Sequence, residues 1–258
     1  MHIVDISSAA NPRLKLARSL QRRRIRRKQQ QILLEGERLI ADSMSAGFSP
    51  ALFFFTPEAE QRRARLLALA AETGAQLLRV EPALFASISD TVSSQGVAAV
   101  TAIPQLPPGN AGLALVLDGV RDPGNLGALL RSAAAADAEQ VILMPGVTDP
   151  WSPKALRAGM GAHFRIALRE AKSVAQVRAW LPERSVYFAD ARGELTYTDV
   201  DWSRPSALIL GGETERAGIV DQWPGVEAVA VPMARGVESL NVAVAGSVIL
   251  FEAARQRL

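Results

Sequence analysis

The sequence predicts an α/β protein with two domains, and three observations lead to this prediction. Short apolar runs typical of buried strands alternate with helical patterns along the whole chain. In the second half, strands at 113–118 and 140–144 flank a helix at 126–136, an order that is normally parallel and right-handed. Three prolines and one glycine fall within residues 103–111, which indicates a linker between the two halves.

The linker divides the chain into domains of unequal size. We expect a smaller α/β/α domain at 1–102 and a parallel-sheet α/β domain at 112–258. In the first, the patterns predict helices at 11–31, after Glu37 to about 46, at 58–73 and at 82–89, and strands at 32–34, 51–56, 76–80 and 96–102. In the second, further strands are predicted at 164–168, 186–189, 207–210 and 228–231, with a final helix at about 240–257.

Composition restricts the classes of protein that remain. Apolar residues make up 48% of the chain, which is enough for a substantial core. The absence of cysteine excludes disulfides and thiolate metal sites and fits a reducing, cytoplasmic location. His2 and His163 are the only histidines, so no metal centre is expected. The longest uncharged apolar stretch, 239–251, is too short for a membrane span, which needs roughly 20 residues, and no signal peptide is visible in residues 1–11.

Positive charge is concentrated near the N-terminus. Residues 1–104 contain 14 Lys and Arg against 9 Asp and Glu, and nine of the basic residues precede residue 31. Sequence-independent affinity for nucleic acid comes mainly from Lys and Arg that neutralise phosphates, so this run is a candidate RNA-binding surface. The alternative is a solvated, Arg-rich helix face. The candidate residues are Arg22, Arg23, Arg24, Arg26 and Arg27.

A first group of polar residues follows the strand 113–118. Pro123 and Gly124 turn the chain, and Asn125 stands where a helix N-cap is expected. Gly127 and Arg131 are four residues apart and share a helix face, so Arg131 can extend back toward the free N–H groups of the helix start. A plain strand-to-helix turn with a surface arginine is the alternative.

Two more groups follow later strands. The strand 207–210 leads into Gly211, Gly212 and Glu213, where glycines allow the backbone to approach a ligand closely. The segment 231–241 carries Ser239 and Asn241 at the start of the final helix, where either residue could be an ordinary cap. Each group alone is a weak signal.

Taken together, the three groups resemble the three ordered motifs of the SpoU (TrmH-like) family in the SPOUT superfamily. The likeness covers about residues 113–258. The N-terminal half resembles the family's substrate-binding module through Asn11-Pro12, 34–38 and 94–97. The resemblance implies a trefoil knot in the C-terminal domain and methyl transfer from S-adenosylmethionine to a ribose 2′-hydroxyl of RNA, with ribosomal (23S) RNA favoured over tRNA. It also implies a homodimer whose active site is completed across the interface. Thr214 and Arg216 depart from the family pattern, which has glycines at these positions.

The resemblance assigns roles to particular residues. It implies that the cofactor-binding residues are Gly211, Gly212, Val231, Met233 and Leu240, and that S-adenosylmethionine is held mostly by the backbone of Gly211, Val231 and Leu240. It gives Arg131 as the base, but because arginine normally stays protonated we expect it to stabilise the developing alkoxide and to orient a phosphate. Deprotonation would then be assisted by the RNA or by Glu213. The predicted catalytic residues are Asn125, Arg131, Glu213, Ser239 and Asn241. Of these, Asn125, Ser239 and Asn241 are expected to hold Arg131 and the ribose in place.

Three alternatives to this function remain. One is a tRNA 2′-O-methyltransferase, and another is a base-modifying SPOUT enzyme. The third, from a different class, is a catalytically inactive RNA- or ribosome-binding member of the fold. The chain contains no G-x-G-x-x-G, P-loop or G-x-S-x-G motif, which argues against a dinucleotide, nucleoside triphosphate or serine hydrolase site.

Overall fold

A computed structural model describes residues 2–91, 93–110, 112–212 and 218–258. The chain forms two compact units, of which the first comprises 1–104 with 151–164 and the second comprises 105–150 with 165–258. Sequence analysis assigned residues 151–164 to the C-terminal domain, whereas in the structure they pack within the first unit. None of the described helices combines the length and apolar character that a membrane span requires, and the cytoplasmic location stays a prediction.

The first unit is built on a mixed five-stranded sheet with the order β1-β4-β3-β5-β2. Its strands are β1 (Ile3–Ile6), β2 (Gln31–Glu35), β3 (Leu52–Phe55), β4 (Gln76–Val80) and β5 (Val97–Ala102). The strands β1, β4 and β3 are parallel, and β5 runs antiparallel to both of its neighbours. The four predicted strands are confirmed, and β1 was not predicted.

The helices of the first unit are shorter and more numerous than predicted. They are α1 (Pro12–Ser19), α2 (Arg23–Gln29), α3 (Glu37–Ser45), α4 (Pro57–Arg62), α5 (Ala64–Glu72), α6 (Pro82–Phe85) and, further along the chain, α8 (Pro153–Gly159). The single helix predicted at 11–31 is wrong, because Arg22 is extended and separates α1 from α2. The helix predicted at 58–73 is likewise divided at Arg63.

The second unit contains a seven-stranded, fully parallel sheet with the order β10-β12-β9-β11-β6-β7-β8. Its strands are β6 (Leu113–Leu117), β7 (Gln140–Leu143), β8 (Ala167–Glu170), β9 (Ser185–Ala189), β10 (Leu195–Thr196), β11 (Ser206–Leu210) and β12 (Glu227–Ala230). The predicted parallel sheet is confirmed. The chain moves outward from β6 to β8, returns to β9 and then inserts β11 between β9 and β6. The knot itself stays a prediction.

The described residues of the second unit form three α-helices: α7 (Pro123–Ala135), α9 (Val174–Trp180) and α10 (Val242–Arg257). The final helix is therefore confirmed, and α9 was not predicted. Gly246 lies where α10 packs against α7 and β11, since a Cβ added there would lie 2.7 Å from Leu129 Cδ2 and closer still to Leu210 Cδ1. This close packing fixes the start of α10 relative to the carboxyl end of β11.

A buried ion pair lies at the opposite, amino-terminal edge of this sheet. Arg184 Nη2 contacts Glu139 Oε1 at 2.8 Å, and the two side chains are only 15% and 4% exposed. Glu139 also accepts hydrogen bonds from Gly112 N and from the side chain of Gln140. One carboxylate therefore joins the segments that lead into β6, β7 and β9.

Candidate functional site

The predicted functional residues of the second unit converge at one edge of the parallel sheet. Because all seven strands run in the same direction, their carboxyl ends meet at a single edge, where ligands bind in open α/β sheets. The strands β6, β11 and β12 end immediately before the first, second and third motifs. The order of the motifs along the chain and the sheet topology therefore bring them together.

An open cleft of about 980 Å³ occupies this edge. Its lining includes the ends of β9, β11 and β12 and the start of α10. All five predicted cofactor residues line it, and so do two of the predicted catalytic residues, Ser239 and Asn241. Small-molecule sites are typically about 300–1,000 Å³, so the cleft is large enough for a nucleoside-sized ligand.

The first and third motifs are joined by a direct hydrogen bond. Asn241 Nδ2 donates to Asn125 Oδ1 at 3.0 Å, although the residues are 116 positions apart. Asn241 Oδ1 also accepts from the backbone N of Ala243 and Val244, so Asn241 is the N-cap of α10. The capping and functional interpretations of Asn241 are therefore compatible, because the two roles use different atoms of one amide.

The helix that carries Asn125 and Arg131 begins earlier than predicted. The prediction that Asn125 is the N-cap is wrong: Asp122 holds that position, and its carboxylate accepts from Asn125 N at 2.9 Å. Pro123 at the first helical position explains the shift, since its fixed φ suits that place. The start of α7 is therefore already capped by a carboxylate of the chain, so it does not form an open anion-binding site.

Arg131 lies in the middle of α7 with its side chain exposed, whereas Gly127 is buried. Within the described part of the chain, no hydrogen bond or ion pair of the Arg131 guanidinium is found. The expectation that Asn125, Ser239 and Asn241 hold Arg131 is thus not met by a direct contact. Its donors remain available to a substrate.

The second motif follows β11 directly. Gly212 approaches Gly119 so closely that a Cβ added to it would lie 2.7 Å from Gly119 O, so the ends of β6 and β11 meet backbone to backbone. Asp118 Oδ2 accepts a hydrogen bond from Ile219 N at 2.9 Å, which attaches the chain after the second motif to the end of β6. Glu213, Thr214 and Arg216 lie outside the described residues.

The basic run of the first unit is only partly on the surface. Arg22, Arg23, Arg24 and Arg27 are exposed. Arg26 is 4% exposed, and its Nη1 donates to Leu20 O at 2.6 Å, at the end of α1. The prediction that Arg26 contacts RNA is therefore wrong, because its guanidinium is used to cap a helix inside the protein.

Two of the three N-terminal signatures, 34–38 and 94–97, lie side by side in the structure. The Glu35 carboxylate accepts hydrogen bonds from the hydroxyls of Ser89, Thr91 and Ser94 and from Asp90 N. Burial alone would raise the pKa of Glu35, but these four hydrogen bonds together lower it from its ordinary value. Gln95 Oε1 accepts from Glu37 N at 2.8 Å. These contacts hold residues 89–91 and 94–95 against β2 and α3.

Sequence analysis missed several residues that shape the site. Asp118 and Asp122 position the second-motif loop and α7, and both directly follow the first-motif strand, where a carboxylate before Pro-Gly is a recognisable cap signal. Asp190 and Arg192 line the cleft after β9, a strand for which no motif was singled out. Their position at the carboxyl end of a predicted parallel strand was the available signal.

The parallel sheet with a cleft at its carboxyl edge defines an α/β ligand-binding domain, and comparison with known proteins identifies its kind. Residues 112–251 match the SpoU rRNA Methylase family, and residues 11–99 match the MRM3-like substrate binding domain. This chain therefore belongs to the SpoU rRNA methylase family, as the resemblance of its motifs predicted.

Individual relatives agree with this assignment. The rRNA methyltransferase 3, mitochondrial, of Homo sapiens is 33% identical, with 91% of this chain and 70% of that protein covered. The 23S rRNA (guanosine(2553)-2'-O)-methyltransferase RlmP of Bacillus subtilis is 30% identical over 96% of this chain and 98% of its own length. The crystal structure of an AdoMet-bound rRNA methyltransferase from Sinorhizobium meliloti superimposes with a TM-score of 0.85, at 27% identity and 99% coverage of both chains.

Proposed function

We propose that this protein transfers a methyl group from S-adenosylmethionine to a ribose 2′-hydroxyl of ribosomal RNA. The observation that carries the proposal is the hydrogen bond between Asn125 and Asn241 beside a cleft lined by every predicted cofactor residue. Polar groups of two motifs thereby lie next to the expected cofactor. The similarity to rRNA methyltransferases, one of them a 2′-O-methyltransferase, supports the same substrate class.

The lining of the cleft fits S-adenosylmethionine in size and in chemistry. Gly211 and Gly212 leave backbone accessible, and Val231, Met233 and Leu240 provide apolar contact for an adenine ring. Charged side chains of both signs, Asp190, Glu238 and Arg192, suit a zwitterionic ligand. When bound, S-adenosylmethionine supplies an electrophilic methyl group.

The residues of the chain provide positioning and charge stabilisation. The exposed Arg131 stabilises the negative charge that develops on the 2′-oxygen and orients an adjacent phosphate, as a protonated guanidinium can. Asn125 and Asn241 hold the start of α10 and the third-motif loop in place beside it. Ser239 contributes a hydroxyl at the cleft for the ribose, and Glu213 assists deprotonation. Alignment of the two reacting groups then lowers the barrier.

One experiment tests the reaction and its alternatives together. Purified protein is incubated with S-adenosylmethionine and either ribosomal RNA or tRNA transcripts, and the digested nucleosides are analysed by mass spectrometry. We expect 2′-O-methylated nucleosides from ribosomal RNA. A methylated base would instead indicate a base-modifying enzyme, and modification of tRNA alone would change the substrate class. Cofactor binding without any transfer would favour an inactive RNA-binding member.

RNA capture is proposed for the exposed arginines of the first unit. Changing Arg22, Arg23, Arg24 and Arg27 together to Gln should raise the KM for RNA and leave cofactor affinity unchanged. The log–log salt dependence of RNA binding should flatten by roughly 0.7 to 0.9 for every phosphate that the protein no longer neutralises. Binding isotherms at several salt concentrations measure this slope. The matched control changes the four exposed residues Arg62, Arg65, Arg178 and Arg204 to Gln, and an equal slope in both variants would contradict the proposal.

The active enzyme is proposed to be a homodimer that associates through the second unit, for which the knot is predicted. Val244 and Phe251 are each about half exposed (50% and 52%) and, seven residues apart, share one face of α10. The opposite face packs on α7, so the exposed face is an apolar surface suited to a second copy of the chain. Sedimentation equilibrium should give twice the chain mass of 27.6 kDa.

A further inference from the structure

A short turn after β9 forms one wall of the cleft. Asp190, Ala191 and Arg192 all line the cleft, together with the ends of β11 and β12. The turn belongs to none of the three motifs, and the proposed function uses only the charges of Asp190 and Arg192, without assigning either residue to a group of the ligand. Its position relative to the cleft is nevertheless closely determined.

Hydrogen bonds and packing fix the backbone of this turn. Asp190 N donates to Val229 O at 3.0 Å, which attaches the turn to β12. Asp190 in turn accepts from Arg192 N through its carboxylate (2.9 Å) and from Gly193 N through its carbonyl (3.0 Å). A Cβ on Gly193 would lie 2.9 Å from the Ala228 backbone, so only glycine allows this approach. Arg192 is therefore presented at the cleft from a rigid position.

Arg192 differs from the other charged residues of the cleft lining. The described residues that line the cleft include two carboxylates, Asp190 and Glu238, and a single cation, Arg192. The Arg192 side chain is exposed. Its guanidinium makes no ion pair and no hydrogen bond with any residue of 2–91, 93–110, 112–212 or 218–258. The five N–H donors of a side chain that lines the cleft therefore have no protein partner among the described residues.

We propose that Arg192 binds the α-carboxylate of S-adenosylmethionine and thereby selects ligands that carry the amino-acid moiety. This inference rests on the proposed function. The cofactor has one anionic group, the carboxylate, and two cationic groups, the sulfonium and the ammonium. A guanidinium binds a carboxylate with two parallel, charge-assisted hydrogen bonds. The single cation among the described lining residues therefore has one complementary group on the cofactor, while the two carboxylates balance the remaining positive charge.

Two adenosine ligands that differ in the amino-acid moiety test this assignment. S-adenosylhomocysteine carries the carboxylate, whereas 5′-methylthioadenosine lacks the whole amino-acid portion. Isothermal calorimetry with both ligands compares the wild type with Arg192→Gln. We expect affinity for S-adenosylhomocysteine to fall about 10- to 100-fold, the range for a hydrogen bond to a charged group, with unchanged affinity for 5′-methylthioadenosine. Arg192→Lys should recover part of the lost affinity, because lysine keeps the positive charge but cannot make two parallel hydrogen bonds to the carboxylate.

The remaining outcomes overturn the proposal in distinguishable ways. Equal losses for both ligands would mean that Arg192 supports the shape of the cleft, and no loss for either would mean that it does not contact the cofactor. Arg178→Gln, at an exposed position of α9 in the same unit, is the control and should match the wild type. If the wild type binds neither ligand, the proposed function itself fails.

Discussion

Replacing Arg131 by Ala should reduce kcat for RNA methylation by at least about 100-fold, the loss seen when a donor to a developing oxyanion is removed. Arg131 is exposed on α7, and its guanidinium forms no hydrogen bond or ion pair with the described residues that its removal would break. Affinity for S-adenosylhomocysteine should stay unchanged, because Arg131 does not line the cofactor cleft. Single-turnover methylation assays with calorimetry in parallel provide both measurements.

The comparison with two other variants makes the Arg131 result specific. Arg131→Lys retains the positive charge and should keep more activity than the alanine variant. Arg178→Ala removes an exposed arginine elsewhere in the same unit and should have wild-type activity. Activity of Arg131→Ala within about threefold of the wild type would remove Arg131 from the mechanism, whatever its cofactor affinity.

Replacing Glu139 by Ala should lower the free energy of unfolding by about 3–5 kcal/mol, the usual cost of breaking a buried pair and leaving one charge uncompensated. The Arg184 guanidinium would then be buried without its carboxylate, and the amide of Gly112 would lose its acceptor. Urea unfolding followed by circular dichroism measures the loss.

A double replacement separates two free energies: the cost of leaving Arg184 buried without a partner, and the net stabilisation by the ion pair. The double variant Glu139→Met, Arg184→Met should recover most of the stability, since apolar residues of similar volume often replace buried pairs without loss. The exposed pair Glu58–Arg62, with both side chains 71% exposed, is the control. Glu58→Ala should cost less than about 1 kcal/mol, and a similar cost for Glu139→Ala would contradict the argument.

Local patterns were sufficient to predict the strands β2 to β5, but they predicted neither β1 and β10 nor the interruptions of the helices. The strands β2 to β5 are short apolar runs, and their burial follows from composition alone. The break before α2 depends on Arg26, whose side chain reaches the Leu20 carbonyl only in the folded unit. No periodicity in the sequence indicates such an interaction. By contrast, α8 was missed although Ser152 and Pro153 form a recognisable helix start.

The candidate site was predictable in its residue types and less so in its contacts. Order and spacing of the three motifs indicated which residues to expect at the cleft. The pairing of Asn125 with Asn241 joins segments more than 100 residues apart, and it requires the strand order to be known. Asp and Asn are both good N-cap residues, so their side chains alone did not indicate which of Asp122 and Asn125 begins α7. Pro123 at the first helical position places the N-cap at Asp122.

The two hydrogen-bonding ends of the Asn241 amide have a thermodynamic consequence. The same side chain caps α10 and is hydrogen-bonded to Asn125 of α7. A ligand that orders the loop 231–241 therefore also stabilises the first turn of α10. The gain is at most the roughly 1 kcal/mol that a helix cap contributes. The apolar stripe that contains Val244 starts in that turn. In the proposed homodimer, cofactor affinity and subunit association would therefore be coupled free energies, and by reciprocity each partner would bind more tightly in the presence of the other.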